Sequence, residues 1–193
     1  SYGNHLIPVG KGELASGLSG EGRMAEPEFI LGFIQNYFSV KQKLQGKKVL
    51  ITAGPTHEQI DPVRFIGNAS SGKMGIAIAD VFAAAGAEVT LVLGPSMLQP
   101  KEKSINVVPV NSSDDMFFAC ESVFKDSDIT IFAAAVADYK PKTISDQKIK
   151  KQNPEFLLEL VKTIDIASEL GKRKRENQIT VGFALETNDE LEN

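Results

Sequence analysis

The sequence predicts an α/β fold in which helices cover both faces of a mainly parallel sheet. Short apolar runs that are typical of buried strands alternate with segments of helical periodicity. Two of these runs, KKVLITAG and AEVTLVLG, end in glycine, which suits a sharp turn out of a strand. The chain has 193 residues, of which 42% are hydrophobic and 24% charged, and these values are typical of a globular domain with an additional segment.

The first part of the chain precedes this alternation. Residues 1–25 are rich in glycine and serine and have no period, which predicts a loop. In PEFILGFIQNYF the apolar residues follow one helical stripe, and Pro27 suits the first turn of a helix. The polar stretch that follows predicts a boundary near residue 45. We therefore expect two parts, residues 1–45 and residues 46–193.

Strands and helices alternate from Lys47 onward. We predict five strands, at KKVLITAG, AEVTLVLG, INVVPV, DITIFAAAVADY and ITVGFALE. Two helices are predicted between them, at SGKMGIAIADVFAAAGAE, which ends at Gly86, and at SSDDMFFACESVF, which Ser112 or Ser113 caps. Parallel strands joined by helices require right-handed crossovers, so this order predicts a Rossmann-like three-layer fold.

Composition excludes several classes of protein. The net charge is −4, from 21 basic and 25 acidic residues, so we expect no broad basic surface for nucleic acid. No apolar run approaches the roughly 20 residues of a membrane-spanning helix, and the first residues lack a secretory signal pattern. The single cysteine, Cys120, cannot form an internal disulfide and falls on the apolar side of a helix, where we expect an inert core thiol. These features favour a cytoplasmic protein, and the missing initiator Met favours a piece of a longer chain.

Ligands of parallel sheets bind beyond the carboxyl ends of the strands. The predicted strand ends are residues 54–71, 94–95, 134–139 and 185–188, and three of these four carry residues that could contact a ligand. Their shared position at one edge of the sheet predicts a single ligand site.

The first of these ends continues into an unusually long loop of about 18 residues. Its GNASSGK stretch nearly matches the phosphate loop GxxxxGK[ST], but Met74 replaces the required hydroxyl residue and the stretch does not follow the strand directly, which excludes a Walker-type site. Ser70, Ser71 and Gly72 still open a helix whose free N–H groups attract phosphate. The alternative is that Ser70 or Ser71 only caps this helix, which is the commoner arrangement.

A second stretch, AAAVADYKPKTISDQKIKKQNPE, combines small, acidic and basic residues. Three alanines at the strand end allow a ligand to approach the backbone closely. Asp138 follows them, and Lys148, Lys150 and Lys151 form a basic cluster, a combination that suits a phosphate-rich ligand with a divalent cation. The alternative is a solvated lysine run on a loop. The two histidines and the cysteine do not form a metal-binding pattern.

Four stretches resemble a known family: ITAGPTHEQIDPVRFIGNASSGKMGIAIA, AAAVADYKPK, QKIKKQ and VGFALETND. Over about residues 46–193 the chain resembles the phosphopantothenoylcysteine synthetase half of the bifunctional bacterial coenzyme A biosynthesis proteins. The upstream GELASGLSGEGRMAEPE resembles the C-terminal tail of their decarboxylase half. That tail usually reads Ala-Cys-Gly, whereas this chain has Ala15-Ser16-Gly17. A serine hydroxyl is a far weaker acid than a thiol, and the flavin-binding part is also absent, so we expect no decarboxylase activity from this chain.

The resemblance implies a CTP-dependent ligase of coenzyme A biosynthesis. In such a ligase the carboxylate of 4′-phosphopantothenate attacks CTP, pyrophosphate leaves, and the amine of cysteine attacks the resulting acyl-cytidylate, while Mg²⁺ neutralises phosphate charge. FMN belongs only to the decarboxylase domain of the full-length parent. The resemblance also implies a homodimer through the ligase part, and a higher oligomer in the parent.

The resemblance also implies roles for single residues. Asn68 would handle the acyl-cytidylate, because an amide can donate to a developing oxyanion without adding charge. Asp138 would lie near the triphosphate and its Mg²⁺. Lys148 would belong to a flap that closes over the nucleotide, and we expect this flap to be mobile without ligand because it has no core residues to hold it. The other implied nucleotide contacts are Phe132, Ala133, Ala134, Ile164, Asp165, Ile166, Ala167 and Phe183, although Thr163-Ile164 replaces the Asn-Pro of the family.

Two other functions stay open from the sequence. The family continues beyond ETND with lysines that hold the triphosphate, and this chain ends at Asn193. A truncated, non-catalytic nucleotide-binding or assembly module is therefore the main alternative. A dinucleotide oxidoreductase is suggested only by the sheet pattern, because GxGxxG is missing after the first strand.

Overall fold

The computed structural model describes residues 6–13, 19–41, 43–151 and 155–183. The chain divides into two compact units, Ser1–Lys43 and Leu44–Asn193. Among the described residues, no helix has the length and apolar character needed to cross a bilayer.

The first unit contains a strand pair and a helix. Strands β1 (Gly10–Glu13) and β2 (Ser19–Arg23) pair antiparallel, and helix α1 spans Pro27–Lys41. The helix and its start at Pro27 are confirmed. The prediction of a loop over residues 1–25 is wrong where β1 and β2 pair, because strand pairing uses backbone groups and does not need alternating side chains. Ala15-Ser16-Gly17, the stretch that resembles the decarboxylase tail, lies outside the described residues.

The second unit contains nine strands and three helices among its described residues. Its strands are β3 (Lys48–Ala53), β4 (His57–Gln59), β5 (Phe65–Gly67), β6 (Glu88–Leu93), β7 (Asn106–Pro109), β8 (Ile129–Phe132), β9 (Tyr139–Pro141), β10 (Leu160–Lys162) and β11 (Ile179–Gly182). Its helices are α2 (Lys73–Ala84), α3 (Ser113–Phe124) and α4 (Ile166–Gly171).

Five of these strands form one parallel sheet in the order β11–β8–β3–β6–β7. All five predicted strands are therefore confirmed. β8 is shorter than the predicted run, since the next two N–H groups, of Ala133 and Ala134, donate to the hydroxyl of Thr52 instead of to a neighbouring strand. The other strands form two small antiparallel pairs, β4 with β5 and β9 with β10, which the sequence does not predict.

Helices cover both faces of the sheet, which confirms the three-layer fold. Ile76 and Ala79 of α2 pack on one face, while Met116 of α3 and Leu170 of α4 pack on the other. Cys120 lies in this second core with no exposed surface, and burial raises the pKa of its thiol to about 12. The predicted core position of Cys120 is confirmed, and a protonated, buried thiol is a poor nucleophile.

Local sequence signals fix two helix ends. Ser112 caps α3 by accepting from the N–H of Asp115, whose side chain accepts in return from the N–H of Ser112. Gly86 follows α2 with a φ of 91°, a left-handed conformation that favours glycine. Both residues were predicted in these positions.

The ends of β3 and β6 lie unusually close together. Gly54 follows β3 with a φ of 82°, and Gly94 follows β6. A Cβ on Gly94 would lie 1.8 Å from the carbonyl oxygen of Pro55. Only a glycine at this position leaves room for the chain to leave β3 along its observed path.

Candidate active site

A cavity of about 1620 Å³ lies at the carboxyl edge of the parallel sheet. Its wall includes the ends of β3 and β8, the start of α2 and the turn before α4. From β3 the chain builds the sheet toward β6 and β7 and then returns to the opposite side of β3 to form β8. Crevices at such reversals of strand order are where open parallel sheets bind ligands.

The cavity brings together almost all of the site residues predicted from the sequence. Lys148 is the exception, because it is not among the described residues that line the wall. The predicted residues in the wall are Asn68, Ser70, Ser71, Gly72, Phe132, Ala133, Ala134, Asp138, Ile164, Asp165, Ile166, Ala167 and Phe183.

The start of α2 forms one side of the cavity. Its N-cap is Gly72, with a φ of 75° and no side-chain cap, so the alternative that Ser70 or Ser71 caps the helix is wrong. Ser71 Oγ makes only a long contact of 3.4 Å with the N–H of Lys73. The first turn therefore presents its amide groups to the cavity, and the exposed Lys73 adds a positive charge beside them.

Asn68 lies between β5 and α2, and its side chain bridges to the end of β8. Its Nδ2 donates to the carbonyl oxygens of Ala135, at 3.3 Å, and Val136, at 2.9 Å. The amide nitrogen is therefore engaged by the protein, whereas Oδ1, an acceptor, has no recorded hydrogen-bond partner among the described residues. The sequence predicts a donor to an oxyanion, whereas this conformation offers an acceptor.

The segment that follows β8 is held by side chains from distant parts of the chain. Thr56 Oγ1 accepts from the N–H of Ala137 at 3.0 Å. Thr163 Oγ1 donates to the carbonyl of Ala137 at 2.6 Å, and the N–H of Thr163 donates to the carbonyl of Asp138 at 2.9 Å. The turn that departs from the family sequence at Thr163 is therefore tied directly to the strand end.

Charged residues of both signs line the cavity. Lys73 and Lys162 supply positive charge, and Asp138 supplies an exposed carboxylate. Asp165 lines the cavity and also has a structural role, because its Oδ1 caps α4 by accepting from the N–H of Ser168 at 2.9 Å. Within the described ranges, no group of three or more His, Cys, Asp or Glu side chains could hold a metal ion by itself.

The segment that carries Lys148 is attached to the rest of the unit through a buried carboxylate. Asp61, which has no exposed surface, accepts from the N–H of Ile149 at 3.1 Å and from the guanidinium of Arg64. Arg64 also donates to the carbonyl of Ile149 at 2.9 Å, and the N–H of Ser145 donates to the carbonyl of Ile60 at 3.0 Å. These anchors are backbone groups that the side-chain pattern does not show, and the mobility of the segment without ligand stays a prediction.

We expect Asp61→Asn to loosen residues 145–151. Asp61 Oδ1 accepts from the N–H groups of Val63 and Arg64, and Oδ2 accepts from the Arg64 side chain and Ile149. An amide must turn its NH₂ group toward one of these donor sets, which breaks it. Hydrogen exchange of residues 145–151 should accelerate about tenfold.

Asp146→Asn is the matched control, because Asp146 lies exposed in the same segment.

The Arg64 guanidinium holds the pKa of Asp61 well below its usual range. A carboxyl with a lowered pKa stabilises the fold above its unfolded pKa and loses this effect as pH falls through the folded value. Exchange in the wild-type segment, corrected for intrinsic rates, should therefore stay constant from pH 7 to about 4. Equal exchange rates in Asp61→Asn and Asp146→Asn would contradict the anchoring role of Asp61.

Sequence reasoning missed several residues of the wall. Lys73 belongs to the GNASSGK stretch that fails as a phosphate loop, although its position in the first turn of a helix is a usable signal. Thr52 lies inside an apolar strand run, and Thr163 was noted only as a departure from the family pattern. The sequence around Thr52 and Thr163 carries no signal that these residues contact the segment after β8.

Comparisons with known proteins agree with this architecture. The chain is 57% identical over 197 residues to a cysteine/cysteine sulfinic acid decarboxylase from an unidentified prokaryote, covering 100% of this chain and 55% of that protein. It is 48% identical over 186 residues to the coenzyme A biosynthesis bifunctional protein CoaBC of Bacillus subtilis strain 168, covering 95% of this chain and 46% of that protein. The chain thus spans about half the length of these relatives.

A solved structure and a family model also match the chain. The crystal structure of the C-terminal domain of a coenzyme A biosynthesis bifunctional protein CoaBC matches with a TM-score of 0.66 and 47% identity, over 76% of this chain and 68% of that one. Residues 44–193 match the model of the DNA/pantothenate metabolism flavoprotein C-terminal domain. The chain therefore belongs to the family of the DNA/pantothenate metabolism flavoprotein C-terminal domain.

Proposed function

We propose that this chain joins cysteine to 4′-phosphopantothenate at the expense of CTP, as a ligase of coenzyme A biosynthesis. The observation that supports the proposal most directly is the cavity itself. With the exception of Lys148, the residues that the family resemblance assigns to the nucleotide and the acyl intermediate come from separate loops and line this one crevice at the switch point of the sheet. Family membership over residues 44–193 supports the same reading.

The proposed reaction has two steps. A carboxylate oxygen of 4′-phosphopantothenate attacks the α-phosphorus of CTP, which forms an acyl-cytidylate and releases pyrophosphate. The amine of cysteine then attacks the acyl carbon, the C–O bond to CMP breaks, and an amide forms with loss of a proton. The first step is needed because a free carboxylate is a poor electrophile until its oxygen belongs to a good leaving group.

The cavity supplies groups that suit the nucleotide. The uncapped start of α2 and the Lys73 ammonium suit phosphate oxygens. Phe132 and Phe183 both reach the wall, and aromatic rings stack on bases of any sequence. The volume of about 1620 Å³ accommodates a nucleotide together with a second substrate, and it exceeds what cysteine alone requires.

Magnesium fits the cavity as an ion that arrives with the nucleotide. Asp138 offers one exposed carboxylate, and Mg²⁺ is commonly held by one or two carboxylates together with substrate phosphates and water. When bound, the ion would neutralise phosphate charge as pyrophosphate leaves. Asp138 would hold it, since the described residues provide no complete protein cage.

Asn68 is proposed to act on the second substrate. Its Oδ1 is the acceptor left after Nδ2 donates to Ala135 and Val136. An acceptor in the wall can orient the N–H groups of an attacking amine, which has hydrogen to donate. This role replaces the oxyanion donor expected from the sequence.

Lys148 is proposed to close over the triphosphate when the nucleotide binds. Its segment is anchored at Ile149, so the neighbouring lysine can move on a fixed base. We expect Lys148→Gln to slow pyrophosphate release roughly a hundredfold, while the free energy of unfolding changes by no more than about 0.5 kcal/mol. Turnover and urea denaturation of Lys148→Gln are compared with those of Lys151→Gln, an exposed lysine three positions away. Wild-type turnover of Lys148→Gln would contradict the closing role and favour the alternative that these lysines are a solvated surface run.

The function is tested by mixing the protein with CTP, Mg²⁺, 4′-phosphopantothenate and cysteine. Pyrophosphate release that depends on phosphopantothenate, with amide product seen by mass spectrometry, supports the ligase. Without cysteine, the acyl-cytidylate should accumulate. Calorimetric binding of CTP without pyrophosphate release would favour the nucleotide-binding module, and absence of CTP binding would contradict both. A carbon dioxide assay with cysteine tests the chemistry named for the decarboxylase relative.

The homodimer, the cytoplasmic location and the FMN of a longer parent stay predictions of the resemblance. Several large apolar side chains of the small antiparallel pairs are exposed, including Phe65, Tyr139 and Leu160. Exposed apolar surface of this kind is consistent with contact between two copies of the chain.

A further inference from the structure

The peptide unit between Ser71 and Gly72, at the entry to α2, is held in one orientation by the loop between β6 and β7. Ser96 Oγ, in this loop, donates to the carbonyl oxygen of Ser71 at 2.7 Å. The same oxygen of Ser96 accepts from the N–H of Leu98 at 3.0 Å. Because a carbonyl can only accept, the direction of the bond to Ser71 is settled, and the Ser96 hydroxyl is used both as donor and as acceptor.

The two polar groups of this peptide unit point in opposite directions, since the peptide bond is planar and trans. The carbonyl of Ser71 is bound by Ser96, which is not among the described residues that line the cavity. The N–H of Gly72 donates to Ser70 Oγ at 3.3 Å, and Ser70 belongs to the cavity wall. The observed orientation therefore puts the N–H on the side of the cavity and the carbonyl on the other side.

Gly72 does not fix this orientation by itself. Its φ of 75° is a left-handed conformation, and glycine adopts positive and negative φ about equally readily. Turning the peptide unit over would exchange its two polar groups and bring the Ser71 carbonyl to the side of the cavity. The negative end of a carbonyl dipole opposes the binding of a phosphate group, whereas a backbone N–H supports it.

Ser96 can hold this peptide unit because its own loop is fastened at two points. Two residues before Ser96, the N–H of Gly94 donates to the carbonyl of Ala53 at 2.9 Å. Farther along the loop, Asp80 Oδ1 on α2 accepts from the N–H groups of residues 101–102, at 2.8 and 3.0 Å. The loop is thus tied both to the sheet and to α2, so Ser96 keeps its position relative to the start of the helix.

We propose, resting on the proposed nucleotide-binding function, that Ser96 is a positioning residue that locks the Ser71–Gly72 peptide unit with its N–H toward the phosphate groups of the ligand. Ser96 acts through the Ser71 carbonyl, from outside the cavity wall. Its loss therefore affects the binding of phosphate and leaves the binding of the base and the ribose unchanged.

The test measures two dissociation constants on the whole chain, that of CTP with Mg²⁺ by calorimetry and that of cytidine by NMR titration. Ser96→Ala should weaken CTP binding about fivefold, which corresponds to the loss of one hydrogen bond. Cytidine has no phosphate, so its dissociation constant should stay within about twofold of wild type. Ser96→Thr, which keeps the hydroxyl, should bind CTP as wild type does. Ser104→Ala is the matched control, because Ser104 is an exposed serine of the same loop.

A second measurement follows the peptide unit without any ligand. The N–H of Gly72 should exchange with solvent about fivefold faster in Ser96→Ala than in wild type or in Ser104→Ala. Unchanged exchange would overturn the locking role of Ser96.

The binding outcomes separate this inference from the proposed function. If wild type binds CTP and Ser96→Ala binds it equally well, the role of Ser96 is overturned while nucleotide binding stands. An equal loss of affinity for CTP and cytidine, or the same loss in Ser104→Ala, would also overturn it. If wild type does not bind CTP, the proposed function fails, and the inference fails with it.

Discussion

Replacing Asn68 with aspartate is expected to lower amide product formation by about a hundredfold or more. The side-chain nitrogen of Asn68 lies 3.3 Å from the carbonyl oxygen of Ala135 and 2.9 Å from that of Val136. Aspartate places a carboxylate oxygen against these two acceptors, which exchanges two hydrogen bonds for repulsion. The carboxylate must turn away or displace the strand end, and its charge also opposes the phosphate groups of the proposed acyl-cytidylate.

Single-turnover measurements distinguish the two steps for this variant. Pyrophosphate release reports the first step, and amide formation reports the second, so the second should fall more than the first. Asn177→Asp adds the same charge in an exposed turn just before β11, away from the cavity, and should behave as wild type. Normal amide formation by Asn68→Asp would contradict the proposed role of Asn68 in the second step.

Substituting alanine for Gly94 is expected to destabilise the second unit by about 3 kcal/mol. The new Cβ would lie 1.8 Å from the carbonyl oxygen of Pro55, far inside van der Waals contact, and the obstacle is backbone rather than a movable side chain. The chain must shift at the end of β3 or β6, which also strains Gly54 in its left-handed conformation. Since the end of β3 forms part of the cavity wall, nucleotide binding should weaken as well.

Urea denaturation followed by circular dichroism measures this effect. Gly171→Ala is the control, because a Cβ at the last residue of α4 meets no atom within 4 Å. Alanine favours helix over glycine by up to about 1 kcal/mol, so the control should be neutral or slightly more stable. Equal stability of the two variants would mean that the strand ends separate at little cost.

The sheet could be predicted from the sequence because its signals are local. β3 is buried along almost its whole length, so its residues read as one apolar run. Ser112 precedes an acidic partner by three positions, and Gly86 marks the end of a helix. In contrast, β9 and β10 have three residues each, and β10 is exposed, so neither a period nor a run identifies them.

For the candidate site, the sequence predicts which residues lie together but not how they are hydrogen-bonded. Strand ends converge on one edge by topology, which brought Asn68, Asp138 and the segment after β8 together. The direction of each hydrogen bond could not be predicted, because it depends on partners far along the chain. Asn68 was expected to donate to substrate but donates to Ala135 and Val136. Asp61 precedes a proline and resembles a turn residue, whereas it is the buried anchor of Ile149.

The threonine contacts after β8 have a consequence for the order in which the site matures. Thr56 and Thr163 reach this segment from opposite directions along the chain, and β11 pairs beside β8 only after residue 179. A growing polypeptide that has reached Phe132 contains most of the sheet but lacks the residues that complete the crevice. We expect nucleotide to bind only after these late segments dock, so it stabilises the finished fold and not its precursors. Substrate supply would then act on the abundance of the mature protein as well as on its turnover.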